Sequence, residues 1–238
     1  MIKSIVHSTV PITLVGGGQA TVREVQKALT IAPICVAVDG GLSLALAAGA
    51  DPQAVIGDMD SVEYAALAQM PRERRHRITE QQSTDFDKAL RCVDAPAVVA
   101  VGFCGGRLDH QLAALHVLLA HQDRACILMA GDQIALHAPP DISMPTQSGD
   151  VVSLFPMAQV TGRSTGLEWP IDGLEFDPAT FIGTSNRATG RVQLWMDGPG
   201  MILMAPVGLI QPVVETLSVP QAAQWPARAE PRRSQPPS

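Results

Sequence analysis

Over its first ~130 residues the chain alternates short apolar runs with stretches of helical periodicity, and most of the runs stop at a glycine or an aspartate. Strands that alternate with helices build a mostly parallel sheet with helices packed on its faces, so this alternation constrains the fold more than any other feature of the sequence. The spacing predicts strands at 12–15, 34–38, 54–56, 97–101 and 125–130. Helices are expected at 21–29, 43–48, 63–70, 84–92 and from 109 or 110 to 120. Gly49 is positioned to stop the second helix, and Thr84 with Asp87 three residues later has the form of a capping pair.

After Gly131 the helical periodicity ends. Short β-like runs follow at 134–137, 151–155, 159–163, 191–196 and 201–206, separated by Gly and Pro at the spacing of a small all-β sandwich or barrel. The fold class read from this is an α/β N-terminal domain with a mostly parallel sheet, residues 1–138, followed by a small all-β sandwich-like C-terminal domain, residues 149–212. The segment 221–238, rich in Pro, Gln, Ala and Arg, reads as a disordered tail.

Bulk properties exclude several functions. A hydrophobic content of 46% with 17% charged residues specifies a packed core. The net charge of −6 argues against nucleic acid, which selects a basic face. No apolar run approaches the ~20 residues of a membrane span, and the polar and Pro-broken N-terminus is not that of a secretory leader. Cys35, Cys92, Cys104 and Cys126 include no C-x-x-C pair and read as reduced, mostly buried thiols of a cytoplasmic protein.

Four acidic clusters fall within about seventy residues: Asp39-Gly40-Gly41, Gly57-Asp58-Met59-Asp60-Ser61, Ser83-Thr84-Asp85-Phe86-Asp87-Lys88 and Gly105-Gly106-Arg107-Leu108-Asp109-His110. Ligands of open α/β sheets bind outside the carboxyl ends of the strands, so Asp39, Asp58 and the 102–109 stretch should line one rim. Mg²⁺ takes oxygen ligands from one or two carboxylates plus substrate phosphates, which suits this set. Asp58 and Asp60, at i and i+2, either fork around a cation or form an Asx turn. Asp85 and Lys88 share a helix face, as a surface ion pair or as groups directed at metal and phosphate. Arg107 can grip phosphate bidentately, and Asp109 can cap a helix. His110 and His116 lack metal-ligand spacing and read as structural. Gly16-Gly17-Gly18 follows a strand like a phosphate loop, but Thr21 holds the third position of the dinucleotide fingerprint, and a Walker A motif is absent. Trp169, in Gly166-Leu167-Glu168-Trp169-Pro170, reads equally as core or as a ligand face; Ser185-Asn186 alone would be a turn.

Taken in order, these motifs resemble the thiamine pyrophosphokinase family: D-G-G, G-D-x-D-S, T-D-x-x-K, G-G-R-x-D-H, then G-L-x-aromatic-P and T-S-N, the last here Thr184-Ser185-Asn186. The resemblance implies a homodimer with an α/β domain for Mg-ATP and a β-rich domain for thiamine. The reaction it implies moves diphosphate from ATP to the thiamine hydroxyl, giving thiamine diphosphate and AMP. By the same resemblance Asp58, Asp60 and Asp85 hold the metal, and Gln81, Thr84, Lys88 and Arg107 contact phosphates. Asp39 and Asp109 complete the polar rim, and Ser185 and Asn186 hydrogen-bond the pyrimidine. An acidic residue common before T-D in the family is replaced here within Gln81-Gln82-Ser83. The sequence also admits a haloacid-dehalogenase-like phosphatase using Asp58, and a non-enzymatic nucleotide- or thiamine-binding module.

Overall fold

The computed structural model describes residues 4–228. Its first half follows the alternation in the sequence. Six strands, β1 (Ile12–Val15), β2 (Ile34–Val38), β3 (Ala54–Gly57), β4 (Arg75–Arg77), β5 (Val98–Val101) and β6 (Cys126–Ala130), pair in parallel in the order β6-β5-β1-β2-β3-β4. Five helices connect or flank them: α1 (Val22–Ile31), α2 (Gly41–Ala47), α3 (Tyr64–Gln69), α4 (Asp85–Cys92) and α5 (Leu108–Ala120). The segments Val6–His7 and Val93–Asp94 form a separate two-stranded parallel pair.

The central strands are buried on both faces, as a sheet covered by helices requires. Val15, Ala37 and Val55 face a core shared with Val25 and Ala28 of α1 and Leu42 and Ala45 of α2. Their neighbours Leu14, Val36 and Ile56 face the opposite core, with Phe86, Ala89 and Leu90 of α4 and Ala114, Val117 and Leu118 of α5. Local chemistry sets the helix starts. Thr21 and Glu24 form a full capping box on α1, and the Thr84 side chain accepts the Asp87 N–H on α4.

The main-chain pairing does not stop near 139–149. Strand β7 (Gln133–His137) turns back antiparallel on β6, and the sheet continues through β12 (Met201–Pro206), β9 (Val151–Pro156), β11 (Gly183–Met196) and β8 (Asp141–Met144), all antiparallel, while β10 (Gly162–Leu167) pairs with β11. The result is one large mixed sheet of twelve strands, and the β-rich half extends it rather than forming a sheet of its own. The reason is local: a two-residue connection, Gly131 at φ 66° and Asp132, folds β7 onto the edge that β6 leaves open. The strand expected at 159–163 lies further along, at Gly162–Leu167. A last helix, α6 (Ile210–Ser218), buries Ile210, Val213, Val214 and Leu217 in the first core.

The expected disordered tail is ordered over its first part. Trp225 packs on the first core and donates its indole N–H to the Ala138 carbonyl at 2.8 Å, and the Gln122 amide donates to the Pro226 carbonyl at 2.7 Å. One aromatic side chain supplies apolar area that the surrounding Pro, Gln and Ala do not. The rest of that expectation, 229–238, lies outside the described residues. The four cysteines are free; Cys35, Cys92 and Cys126 are buried and Cys104 is partly so.

Candidate active site

A cavity of about 610 Å³ opens at the carboxyl ends of the parallel strands. Four of the six strand endings contribute a short loop to its wall. Gly17 and Gly18 follow β1, Asp39 and Gly40 follow β2, Asp58, Asp60 and Ser61 follow β3, and Gly102, Phe103 and Gly105 follow β5. Thr84, Asp85 and Phe86 enter from the start of α4, and His110, Ala113 and Ala114 from α5. The rim expected from the acidic clusters is therefore formed by the loops themselves.

Close backbone packing makes those loops possible. A Cβ on Gly41, at the start of α2, would stand 2.0 Å from the Val15 carbonyl oxygen, so only glycine lets α2 begin against the end of β1. Among the described residues, three non-glycine residues have positive φ: Asp39 (47°), Met59 (64°) and Ser185 (62°). Two of the three stand in the acidic loops of the cavity. Left-handed backbone at non-glycine positions is held by its surroundings and concentrates at functional sites.

The carboxyl groups differ in environment. Asp39 is 8% exposed, and its Oδ1 has no hydrogen-bond partner. Burial pushes its carboxyl up, the carboxylates of Asp85, Asp58 and Asp60 push the same way, and the Gly40 N–H works against them. Asp58 is held below the usual carboxylate range, first by the Asp60 N–H, which donates to its Oδ1 at 3.3 Å, then by the Lys88 ammonium and the side chains of Asp60 and Gln81. Ser61 donates its hydroxyl to Asp60 Oδ1 at 2.9 Å. One oxygen each from Asp39, Asp58 and Asp60 lies within 4.8 Å of the others, a group that could hold a metal ion.

Asp85 lines the same cavity, but its carboxylate accepts the Lys88 ammonium at 2.9 Å. Lys88 is 2% exposed and also lies 3.8 Å from Asp58 Oδ2. It is sealed beneath the acidic floor and does not reach into the cavity as sequence reasoning expected. Arg107 and Asp109 stand at the entry to α5, exposed, and pair with each other through 2.6 and 3.1 Å contacts. The guanidinium holds the Asp109 carboxyl down at about 2. Neither lines the cavity, whereas His110, read from sequence as structural, does. Its neighbours in α5, Ala113 and Ala114, line the same wall, so helical periodicity was the available signal.

Trp169, Thr184 and Asn186 belong to a second, smaller cavity of about 160 Å³, walled by Leu154, Ile171, Leu174, Phe176 and Phe181. Trp169 is 54% exposed, so it is not a core residue. Asn186 is buried; its Nδ2 donates to the Trp169 carbonyl at 2.7 Å and its Oδ1 accepts the N–H groups of Trp169 and Arg187 at 3.2 and 2.8 Å. This clasp fixes the Gly-Leu-Glu-Trp loop on β11. Ser185 is exposed, and its N–H donates to Ser153 Oγ at 2.9 Å.

The family model of the thiamin pyrophosphokinase catalytic domain matches residues 25–129, the stretch that carries all four acidic clusters. The motif resemblance to thiamin pyrophosphokinases therefore holds. Thiamine pyrophosphokinase 1 of Arabidopsis thaliana is 26% identical over 57% of this chain and 58% of its own length, and thiamine pyrophosphokinase 2 of Oryza sativa subsp. japonica gives the same figures. The chain thus spans somewhat over half the length of these curated relatives. Thiamin pyrophosphokinase from Geobacillus thermodenitrificans shares the fold at a TM-score of 0.67 and 24% identity, covering 82% of this chain and 96% of that one. Thiamin pyrophosphokinase from Candida albicans does so at 0.71 and 13% identity, over 84% and 93%. The large mixed sheet is the thiamin pyrophosphokinase fold. Among the described residues, no helix is long and apolar enough to cross a membrane.

Proposed function

We propose that this protein transfers diphosphate from ATP to the hydroxyl of thiamine, giving thiamine diphosphate and AMP. The observation that carries the reading is the meeting of Asp39, Asp58, Asp60 and Asp85 around one cavity, inside the stretch that matches the catalytic domain. That match favours the diphosphotransferase over the phosphatase and the binding module, since the matched family is the thiamin pyrophosphokinase catalytic domain.

The residues present fit a divalent cation. A buried carboxylate oxygen on Asp39 lacks a partner, and Asp39, Asp58 and Asp60 each offer an oxygen within 4.8 Å of the others. Asp39, Asp58 and Asp60 would hold Mg²⁺, with Asp85 beside them, and the ion would supply charge neutralisation to the triphosphate. Phosphoryl-type transfer needs positioning and electrostatics more than covalent chemistry from the protein. Lys88 pairs with Asp85, lies beside Asp58 and fixes both carboxylates in place. Thr84 caps α4, whose N-terminus adds positive potential to the wall, and Gln81 and Arg107 bind phosphate oxygens from the mouth. The thiamine hydroxyl loses its proton to a rim carboxylate.

In this reading residues 1–138 bind the nucleotide and 149–212 bind thiamine. Trp169, Ser185 and Asn186 serve the thiamine end, the aromatic face suiting a cationic thiazolium. The second cavity is separate from the acidic one within a chain, so we infer a homodimer in which the two act together. Free thiols suit a cytoplasmic location. The test is direct: incubate the protein with Mg-ATP and thiamine and follow AMP and thiamine diphosphate. Both should appear in equal amounts, and AMP should vanish when thiamine is omitted. Formation of ADP or phosphate instead would refute the reading.

A further inference from the structure

Two aromatic rings line the acidic cavity, and the chemistry proposed for the carboxylates does not use them. Phe86 of α4 and Phe103, in the loop after β5, stack with ring centroids 4.3 Å apart and planes 28° apart. Phe86 is 4% exposed and belongs to the second core, whereas Phe103 is only partly buried. The ring that the pair offers to the cavity is therefore that of Phe103. Its seat is built from behind. A Cβ on Gly16 would stand 2.7 Å from Phe103 Cε1, so the glycine at the end of β1 gives the ring its place. The first member of the run that looks like a phosphate loop in sequence thus makes room for an aromatic side chain.

Position in the sheet sets what that ring can meet. Asp39 follows β2, Asp58 and Asp60 follow β3, and β1 alone separates β5 from β2. At ~4.8 Å per strand, the Phe103 loop leaves the sheet roughly 10–14 Å from the loops that carry the three carboxylates. A nucleoside triphosphate whose phosphates sit on a metal at that triad reaches this far with its base. The loops after β1 and β5, with α5, line the cavity there through Gly18, Gly102, Gly105, Ala113 and Ala114. Among the described residues, His110 is the one polar side chain those three stretches bring to the lining. Small residues around a partly exposed ring leave room for a flat group. Stacking on an aromatic side chain suits a base in such a place, because every base has a π-face and needs no matching hydrogen-bond partner for it.

The geometry points to Phe103 as the platform for the base of the nucleotide, seated on Phe86 and Gly16. It sets affinity for the nucleoside part of the substrate and not for the phosphates. This rests on the proposed nucleotide site and says which of its walls receives the base.

Binding without turnover tests it. Kd is measured for two magnesium-loaded probes, a non-hydrolysable ATP analogue and inorganic tripolyphosphate, and melting temperature is recorded beside it. The unaltered protein should bind the analogue at least about tenfold more tightly, because only the analogue has a base to stack. Phe103→Leu should weaken the analogue by about tenfold and leave tripolyphosphate within about twofold, while Phe103→Tyr, which keeps the ring, should match the unaltered protein. Should Phe103→Leu fail to fold, Phe103→Met takes its place. A purely structural Phe103 gives a different pattern: a lower melting temperature with unchanged affinity for the analogue, or equal weakening of both probes. Either result overturns the proposal, as does a Tyr variant as weak as the Leu variant. So does an unaltered protein that binds the two probes equally well, a comparison that needs no variant at all. The two ideas fail separately. A protein that binds the analogue through Phe103 but makes no thiamine diphosphate refutes the proposed reaction and leaves the base platform standing. An active protein whose affinity for the analogue ignores Phe103→Leu refutes only the platform. A protein that binds neither probe overturns both.

Discussion

His137 on β7 offers a sharp measurement of how the sheet junction is held. It is 9% exposed, and its Nε2 accepts the Gly200 N–H at 2.8 Å. Burial, with Arg228 adding to it, lowers the pKa of the imidazole from 6.5 to about 4. Protonation would put a second donor against that N–H, in a place with little water. The unfolded chain takes up this proton at about 6.5 and the folded chain only near 4, so the contribution to stability is complete above pH ~6.5 and is lost as pH falls toward 4. Between pH 7.5 and 5 the loss is ~2 kcal/mol, and it approaches ~3 kcal/mol below pH 4. For a chain of this size ~2 kcal/mol is a fall of about 4–8 °C in Tm. His137→Gln keeps an acceptor near the Nε2 position and removes the titration. Tm is recorded from pH 5 to 7.5 for both proteins, and the variant should lack that 4–8 °C part of the acid-side decline. Parallel curves, with no difference in slope, would refute the argument.

Asp58→Asn should lower thiamine diphosphate formation by at least ~10²-fold if, as proposed, that carboxylate holds the metal ion in the transition state; near-normal turnover with unchanged Mg²⁺ dependence would remove it from the site. Gly41→Ala forces a methyl group onto the Val15 carbonyl and should cost ~3 kcal/mol or prevent folding, read by Tm and soluble yield; an unaltered Tm would mean that α2 shifts freely. Deleting 221–238 removes the Trp225 anchor and should cost ~1–2 kcal/mol in chemical denaturation, with turnover retained; an unchanged midpoint would show that the segment adds nothing in solution.

Much of the acidic half was legible because its determinants are local. Thr21 with Glu24 and Thr84 with Asp87 mark helix starts within four residues, and the rule that loops after parallel strands share a rim brings Asp39 to Asp58 and Asp60 without any contact being known. What the sequence hid are pairings between groups that had other uses. For Lys88 the i,i+3 spacing offered a surface pair with Asp85 or a phosphate contact, and what it did not give is that the pair is buried and also lies beside Asp58. Arg107 turns to Asp109, and the Asn186 amide clasps the backbone of Trp169. Such choices depend on which partner is nearest in three dimensions, and spacing along the chain does not encode that. The continuation of the sheet from β6 into β7 was hidden likewise, since composition changes at Gly131 while strand pairing does not.

With Lys88 buried, no lysine or arginine among the described residues lines the acidic cavity itself. Four carboxyl groups confront any incoming polyanion, and the ammonium that balances part of them lies out of its sight. In the proposed reaction a bare triphosphate would meet repulsion at this entrance, whereas one escorted by a divalent ion would bring the compensating charge with it. On the proposed reading, the cavity would favour the metal-bound form of a nucleotide before any specific contact is made.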